Sequence, residues 1–300
     1  MAPAANFHEG ELAVQRLAGV QREAGRLAGM LDAPRLDGGT RSFLADREFA
    51  VITARDNAHR LWTSPLHGSP GFLDAHDRAL TVTAKPLPGD PLWSVEAGQP
   101  VGLIAIEFAT RRRLRVNGTL VRVGAGELEI EVDQAFGNCP KYIQQRSIGS
   151  AESVSSAASV HRERLRPQDA ALIAAADTFF LGTVHPDRGS DASHRGGTPG
   201  FVRVEDSQLW WPDYPGNNMF NSLGNLAVDD AAALLFLDFT GGTALHLSGT
   251  AVVEWTDPGM AGDDGGTGRR VRFTPEEVVT SASGLRAQPP VASPYNPPVL

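Results

Sequence analysis

Two stretches of this 300-residue chain carry the same frame of turn-forming residues. Ser64-Pro-Leu-His-Gly-Ser-Pro-Gly-Phe72 and Ser193-His-Arg-Gly-Gly-Thr-Pro-Gly-Phe201 share S-x-x-x-G-x-P-G-F at a shift of 129. Leu80 and Leu209 match at the same shift, and Pro88-Gly89-Asp90 echoes Pro215-Gly216-Asn217 at 127. Ile106-Glu107-Phe108 matches Leu237-Asp238-Phe239 at 131, as Leu114-x-Val116-x-Gly118-Thr119 matches Leu245-x-Leu247-x-Gly249-Thr250. Matches in one order with small drifts in offset mark a tandem duplication, so one supersecondary unit is built twice.

The repeated unit reads as β-structure. In Leu245–Trp255, apolar Leu245, Leu247, Ala251, Val253 and Trp255 alternate with His246, Ser248, Thr250 and Glu254, the pattern of a half-buried strand. Gly200–Val204, Leu209–Trp211 and Ala233–Phe239 read as further strands. In the first unit Phe49–Ala54, Arg60–Ser64, Ala79–Thr83, Val101–Phe108 and Arg113–Val123 do so too, with Leu128–Val132 closing a hairpin. Helical periodicity covers Glu9–Asp32, Gly39–Asp46 and Pro167–Ala176. Each unit holds about six or seven strands behind one helix, and such a sheet closes on itself to hide its edges. The expected fold is mainly β: two barrels related by a pseudo-twofold axis, with a ligand cleft between them. Residues 1–146 form the helices and first barrel, 147–164 a Ser/Ala-rich linker, 165–280 the second barrel and 281–300 a Pro-rich arm.

Composition narrows the function. The net charge of −8 disfavours nucleic-acid backbones and anionic membranes as partners. No apolar run is long enough to span a bilayer, and the first residues lack the pattern of a secretory signal. The single cysteine, Cys139, excludes an intramolecular disulfide. Together these lead us to expect a cytoplasmic protein.

Pro199-Gly-Phe-Val-Arg-Val204, Pro215-Gly-Asn-Asn218, Ser222-Leu-Gly-Asn225 and Leu234-Leu-Phe-Leu-Asp-Phe239 resemble the FMN-binding split barrels of the pyridoxamine 5′-phosphate oxidase-like superfamily. Asn138-Cys-Pro-Lys-Tyr-Ile143 carries the likeness in the first unit. The resemblance spans roughly 35–280 and points to a tandem branch. It implies an FMN-dependent oxidoreductase acting on a small organic substrate, the flavin held between the two halves, and it implies a homodimer as one assembly. By the same resemblance the flavin phosphate would lie against Ser193, Arg195, Arg203, Asn217, Asn221 and Ser222, with Lys141 reaching over from the first half. Arg203 would be the main cation, because Asn221-Ser222 stands where the family carries a basic pair. Alternatives are a non-catalytic flavin, haem or deazaflavin carrier, and a degenerate barrel pair that serves as an interaction partner.

Single residues add little catalytic signal. No catalytic residue can be assigned, and His185, His194 and His246 lack metal-ligand spacing. Arg111-Arg-Arg113 reads as a solvated charge run. Of Trp210-Trp211, alternation sends one to the core and the other to the interface between halves.

Overall fold

The computed structural model describes residues 7–31, 36–150 and 159–297. The first sheet holds β1 (Phe49–Arg55), β2 (Leu61–His67), β3 (Leu73–His76), β4 (Ala79–Val82), β5 (Gln99–Glu107), β6 (Arg112–Val123) and β7 (Leu128–Gly137). Two short strands follow, β8 (Ile148–Ser150) and β9 (Val160–Arg162). The second sheet holds β10 (Thr178–His185), β11 (Gly189–Gly196), β12 (Arg203–Glu205), β13 (Gln208–Pro212), β14 (Ala231–Asp238), β15 (Thr243–Trp255) and β16 (Arg269–Ala282), and β17 (Leu285–Ala287) comes last. The helices are α1 (Glu9–Leu17), α2 (Gln21–Gly25), α3 (Gly38–Ala45), α4 (Pro167–Ala175) and α5 (Asn221–Leu226).

The duplication is written into the topology. The first sheet runs β2-β1-β5-β6-β7-β4-β3 and the second β11-β10-β14-β15-β16-β13-β12, the same order nine strands on. Register agrees as well. Phe49 pairs His67 and Thr178 pairs Gly196, both shifted by 129. Pro100 pairs Thr119 and Ala231 pairs Thr250, both shifted by 131. A one-residue slip would send every side chain to the wrong face, so the two sequence offsets report two hairpins kept intact.

The units meet isologously. β11 of the second packs on β1, β5 and β6 of the first, and β2 of the first packs on β10, β14 and β15 of the second. That exchange of equivalent contacts is what a twofold relation requires. Each barrel has its own core, around Trp62, Leu66 and Leu103 in one and Phe179, Trp211 and Phe273 in the other. A third core lies in the seam, where Phe49, Ile104, Phe108, Phe180, Leu235 and Leu237 pack together. Backbones approach closely there: a Cβ on Gly102 would stand 2.6 Å from the Asp191–Ala192 backbone.

Four expectations change. The helical stretch from Glu9 breaks at Gly19, whose φ of +70° ends α1 before α2 begins. Strand β15 is buried on both faces from Ala244 to Gly249, because the first unit covers His246 and Ser248. The segment expected as a linker contributes β8, paired with β17, and β9, paired with Val278–Thr280 of β16; 151–158 lie outside the described residues. The Pro-rich arm is docked, with Val291 bridged to Gln145 and the Ser293 N–H donating to Gln144 Oε1 at 2.7 Å.

Candidate functional site

Strand alternation in both units builds the cleft. On β6, Leu114 and Val116 enter the first core, so Arg113, Arg115 and Asn117 face the second unit. On β11, Asp191, Ser193 and Arg195 face α5 and the cleft, while Ala192 and His194 turn to the seam. The segment after β7 adds Asn138, Cys139, Lys141 and Tyr142, and the loop before α5 adds Tyr214 and Asn217. Phe201, Trp211 and Phe220 complete aromatic walls.

Cations exceed carboxylates in this lining. Arg115 Nη1 reaches both Asp191 oxygens at 2.9 and 3.1 Å, and Arg195 Nη1 reaches Asp213 Oδ1 at 3.4 Å. Asp213 also pairs with Arg269 at 2.9 Å. Arg113 faces only neutral acceptors, donating to His194 Nδ1 (2.9 Å), His194 O (3.1 Å) and Cys139 O (2.8 Å). Burial, with Arg115 and Arg195 nearby, pushes its pKa down to about 9. Among the described residues no carboxylate pairs with Lys141. The Nε atoms of Arg113, Arg115 and Arg195 and Trp211 Nε1 are buried without partners. Unspent donors and excess positive charge in a desolvated cleft suit an anionic ligand.

The sequence-predicted phosphate set is only partly assembled. Lys141, Arg195, Asn217, Asn221 and Ser222 line the cleft, and Ser193 lies beneath, its Oγ 3.1 Å from Ser222 Oγ. Most are already engaged. Ser222 Oγ donates to Asp191 Oδ2 (2.9 Å), Asn221 Nδ2 to Glu11 Oε1 (2.5 Å), and Asn217 Nδ2 to Met219 Sδ (3.2 Å).

Arg203 is elsewhere. It pairs directly across from Trp210 on β12–β13, where Val204 takes the core side, so the guanidinium turns outward. There it stacks on Trp210 at 4.6 Å and bonds Asp264 at 2.5 Å, with 46% of the side chain exposed. Trp210 is thus held between Arg203 and Arg270 rather than between the halves. Conversely, Arg113 is no solvated charge. The alternation Arg113-x-Arg115-x-Asn117 carried that signal, a cationic face whose cross-strand partners Ile106, Ile104, Phe136 and Gln134 bring no acid to oppose it.

The twin of this cleft is closed by its own groups. His246 occupies the place of Arg115 at the 131 shift, donates from Nδ1 to Thr63 O (2.9 Å) and accepts from Ser281 Oγ (3.0 Å). Ser64 Oγ donates to Asp90 at 2.5 Å, and burial raises the Asp90 pKa.

His8, Glu9 and His185 place a nitrogen or oxygen each within 4.8 Å of one another. Their hydrogen bonds argue against a metal. Backbone N–H groups of Gly10 and Asp187 donate to Nδ1 of His8 and His185, leaving each proton on Nε2, the atom that would ligate. Beside them Glu11 is buried against Asn221, and burial pushes its pKa up to about 7 from 4.5. The folded state therefore keeps a proton that the unfolded chain releases. This stabilises folding below about pH 4.5, and the contribution is lost as pH rises through about 7. Glu11→Gln cannot ionise. Relative to wild type it should gain up to about 3 kcal/mol between about pH 5 and about pH 8. Urea denaturation at both values tests this, and parallel pH profiles would refute it.

A barrel pair with one open, cationic, aromatic-walled cleft at its seam is a tandem split-barrel protein. Residues 165–263, within the second unit, match the family model described as pyridoxamine 5′-phosphate oxidase. No curated protein matches the chain. It is similar to a pyridoxamine 5′-phosphate oxidase candidate from Lactobacillus delbrueckii (20% identity, 39% of this chain, 94% of that chain, TM-score 0.33). It is also similar to the haem storage protein HutZ from Vibrio cholerae (12%, 40%, 95%, 0.30) and to the FAD binding protein from Mycobacterium smegmatis (12%, 41%, 97%, 0.28).

Proposed function

We propose that the cleft holds flavin mononucleotide and that the protein is a flavin-dependent oxidoreductase acting on a small organic substrate. The observation that carries this is the cationic excess set beneath aromatic walls between two split barrels. Arg113 and Lys141, paired with no carboxylate among the described residues, would hold the phosphate, with Arg195 behind them. The flavin supplies the hydride chemistry, so the chain need only bind, orient and shield it.

Shielding falls to Tyr142 and Tyr214. Their rings meet at 5.0 Å across the mouth, and Tyr142 Oη donates to Pro215 O at 2.9 Å. Burial pushes both phenols up to about 12, so they stay neutral. Free space inside is about 100 Å³, below the roughly 300–1,000 Å³ of small-molecule sites. A bound ring therefore requires the tyrosine pair to swing aside.

One observation favours a second reading, a barrel pair without a phosphate-bearing flavin: Asp191 and Glu11 already occupy the donors of α5. Haem has less support, because Arg113 donating to Nδ1 of His194 leaves the proton on Nε2. The absorption spectrum of the purified protein separates these. Flavin bands, or thermal stabilisation by added FMN, support the proposal. A Soret band, or a colourless protein that FMN does not stabilise, overturns it.

A further inference from the structure

A second cavity, of about 770 Å³, lies apart from the cleft, between α4, the turn after β14 and the residues that follow β17. Its volume falls within the range of small-molecule sites. Leu172, Leu237, Phe239, Pro289 and Pro290 make an apolar wall. Arg146 and Thr178 also line it and are only 7% and 3% exposed, yet Arg146 Nε and Thr178 Oγ1 have no hydrogen-bond partner. A buried hydroxyl left unpaired costs free energy unless something meets it.

The charges in the lining are unequally engaged. Asp177 is taken by Arg146, and Asp238 accepts the Thr240 and Gly241 N–H groups at 2.9 and 2.8 Å. Arg286 bonds only the Leu285 carbonyl, at 3.3 Å, and among the described residues no carboxylate pairs with it. One exposed arginine without a carboxylate partner, Arg286, and one unpaired buried hydroxyl beside an apolar wall define a ligand with an apolar body and a single anionic head.

We propose that this cavity binds an amphipathic monocarboxylate, its chain against Leu172, Leu237 and Phe239 and its carboxylate between Arg286 and Thr178. The site is independent of the flavin cleft. Octanoate is the probe, titrated into the full chain by calorimetry. Saturable binding of one octanoate per chain is expected. Ala175→Trp, on the exposed side of α4, fills the mouth and abolishes that binding. Arg286→Ala weakens it about ten- to a hundredfold. Thr178→Val weakens it about tenfold without lowering the melting temperature, because it deletes an unpartnered hydroxyl. A misfolded variant could not combine those two results. Absence of saturable heat overturns the proposal. Binding that survives Ala175→Trp and Thr178→Val, or that is lost in Lys141→Ala instead, places octanoate elsewhere and overturns it equally.

Discussion

With FMN held in the cleft as proposed, replacing Arg113 with glutamine should weaken its binding about ten- to a hundredfold, whereas Arg203→Ala should leave the dissociation constant unchanged. The two arginines sit on equally exposed-looking strands in the sequence, but their surroundings differ. Arg203 lies on the outer face, neutralised by Asp264 and stacked on Trp210, so its loss removes a surface ion pair. Arg113 stands in the cleft with only neutral acceptors, and its charge is unspent. One charge-assisted hydrogen bond to a phosphate is worth about 1.5–3 kcal/mol, which is the stated range of affinity. Lys141→Ala, a change in the cation two residues beyond the Cys139 carbonyl that Arg113 meets, should add to the loss. Flavin titration of the three variants decides the matter. If Arg113→Gln and Lys141→Ala together leave the affinity intact, the phosphate is not held at this end of the cleft.

The largest stability effect should come from Asp191. Its carboxylate, 2% exposed, gathers Arg115 Nη1, Ser222 Oγ and, at 3.4 Å, Asn117 Nδ2. Those donors come from β6 of the first unit and α5 of the second, so Asp191 joins the two halves where a ligand anion would otherwise sit. Asp191→Ala strands a buried arginine, and breaking such a pair from one side costs about 3–5 kcal/mol. The vacated donors should then accept an external anion. Inorganic phosphate would stabilise the variant more than wild type, by about 2.7 kcal/mol at a hundred times its dissociation constant. Urea denaturation with and without phosphate measures both quantities. A loss below about 1 kcal/mol would show the pair to be weak. Equal phosphate stabilisation of variant and wild type would show that these donors form no anion site.

Much of the architecture was legible in the chain. Repeated turn residues at fixed offsets recorded two copies of one sheet, because glycines and prolines in tight turns are dictated by local backbone geometry. Alternation within Leu245–Trp255 named Leu245, Leu247 and Ala251 of the second core, since side-chain direction in a strand is a local property, although Trp255 at the end of the same face is exposed. Five of the expected cleft residues, Lys141, Arg195, Asn217, Asn221 and Ser222, line it for the same reason: they lie at strand ends and turns on one edge of a barrel.

Charge neutralisation was decided by tertiary structure alone. Arg203 and Arg113 both alternate with apolar neighbours, and nothing local says which outer face meets solvent and which meets the other barrel. Packing of β6 on β11 assigned Arg113 and Arg115 to the cleft, and a loop carrying Asp264 claimed Arg203. The same packing buried the polar face of β15, turning His246 into the plug of the twin cleft where Arg115 lines the open one. Coulomb attraction depends on separation in space and not on separation along the chain, and that separates a binding cation from a structural one.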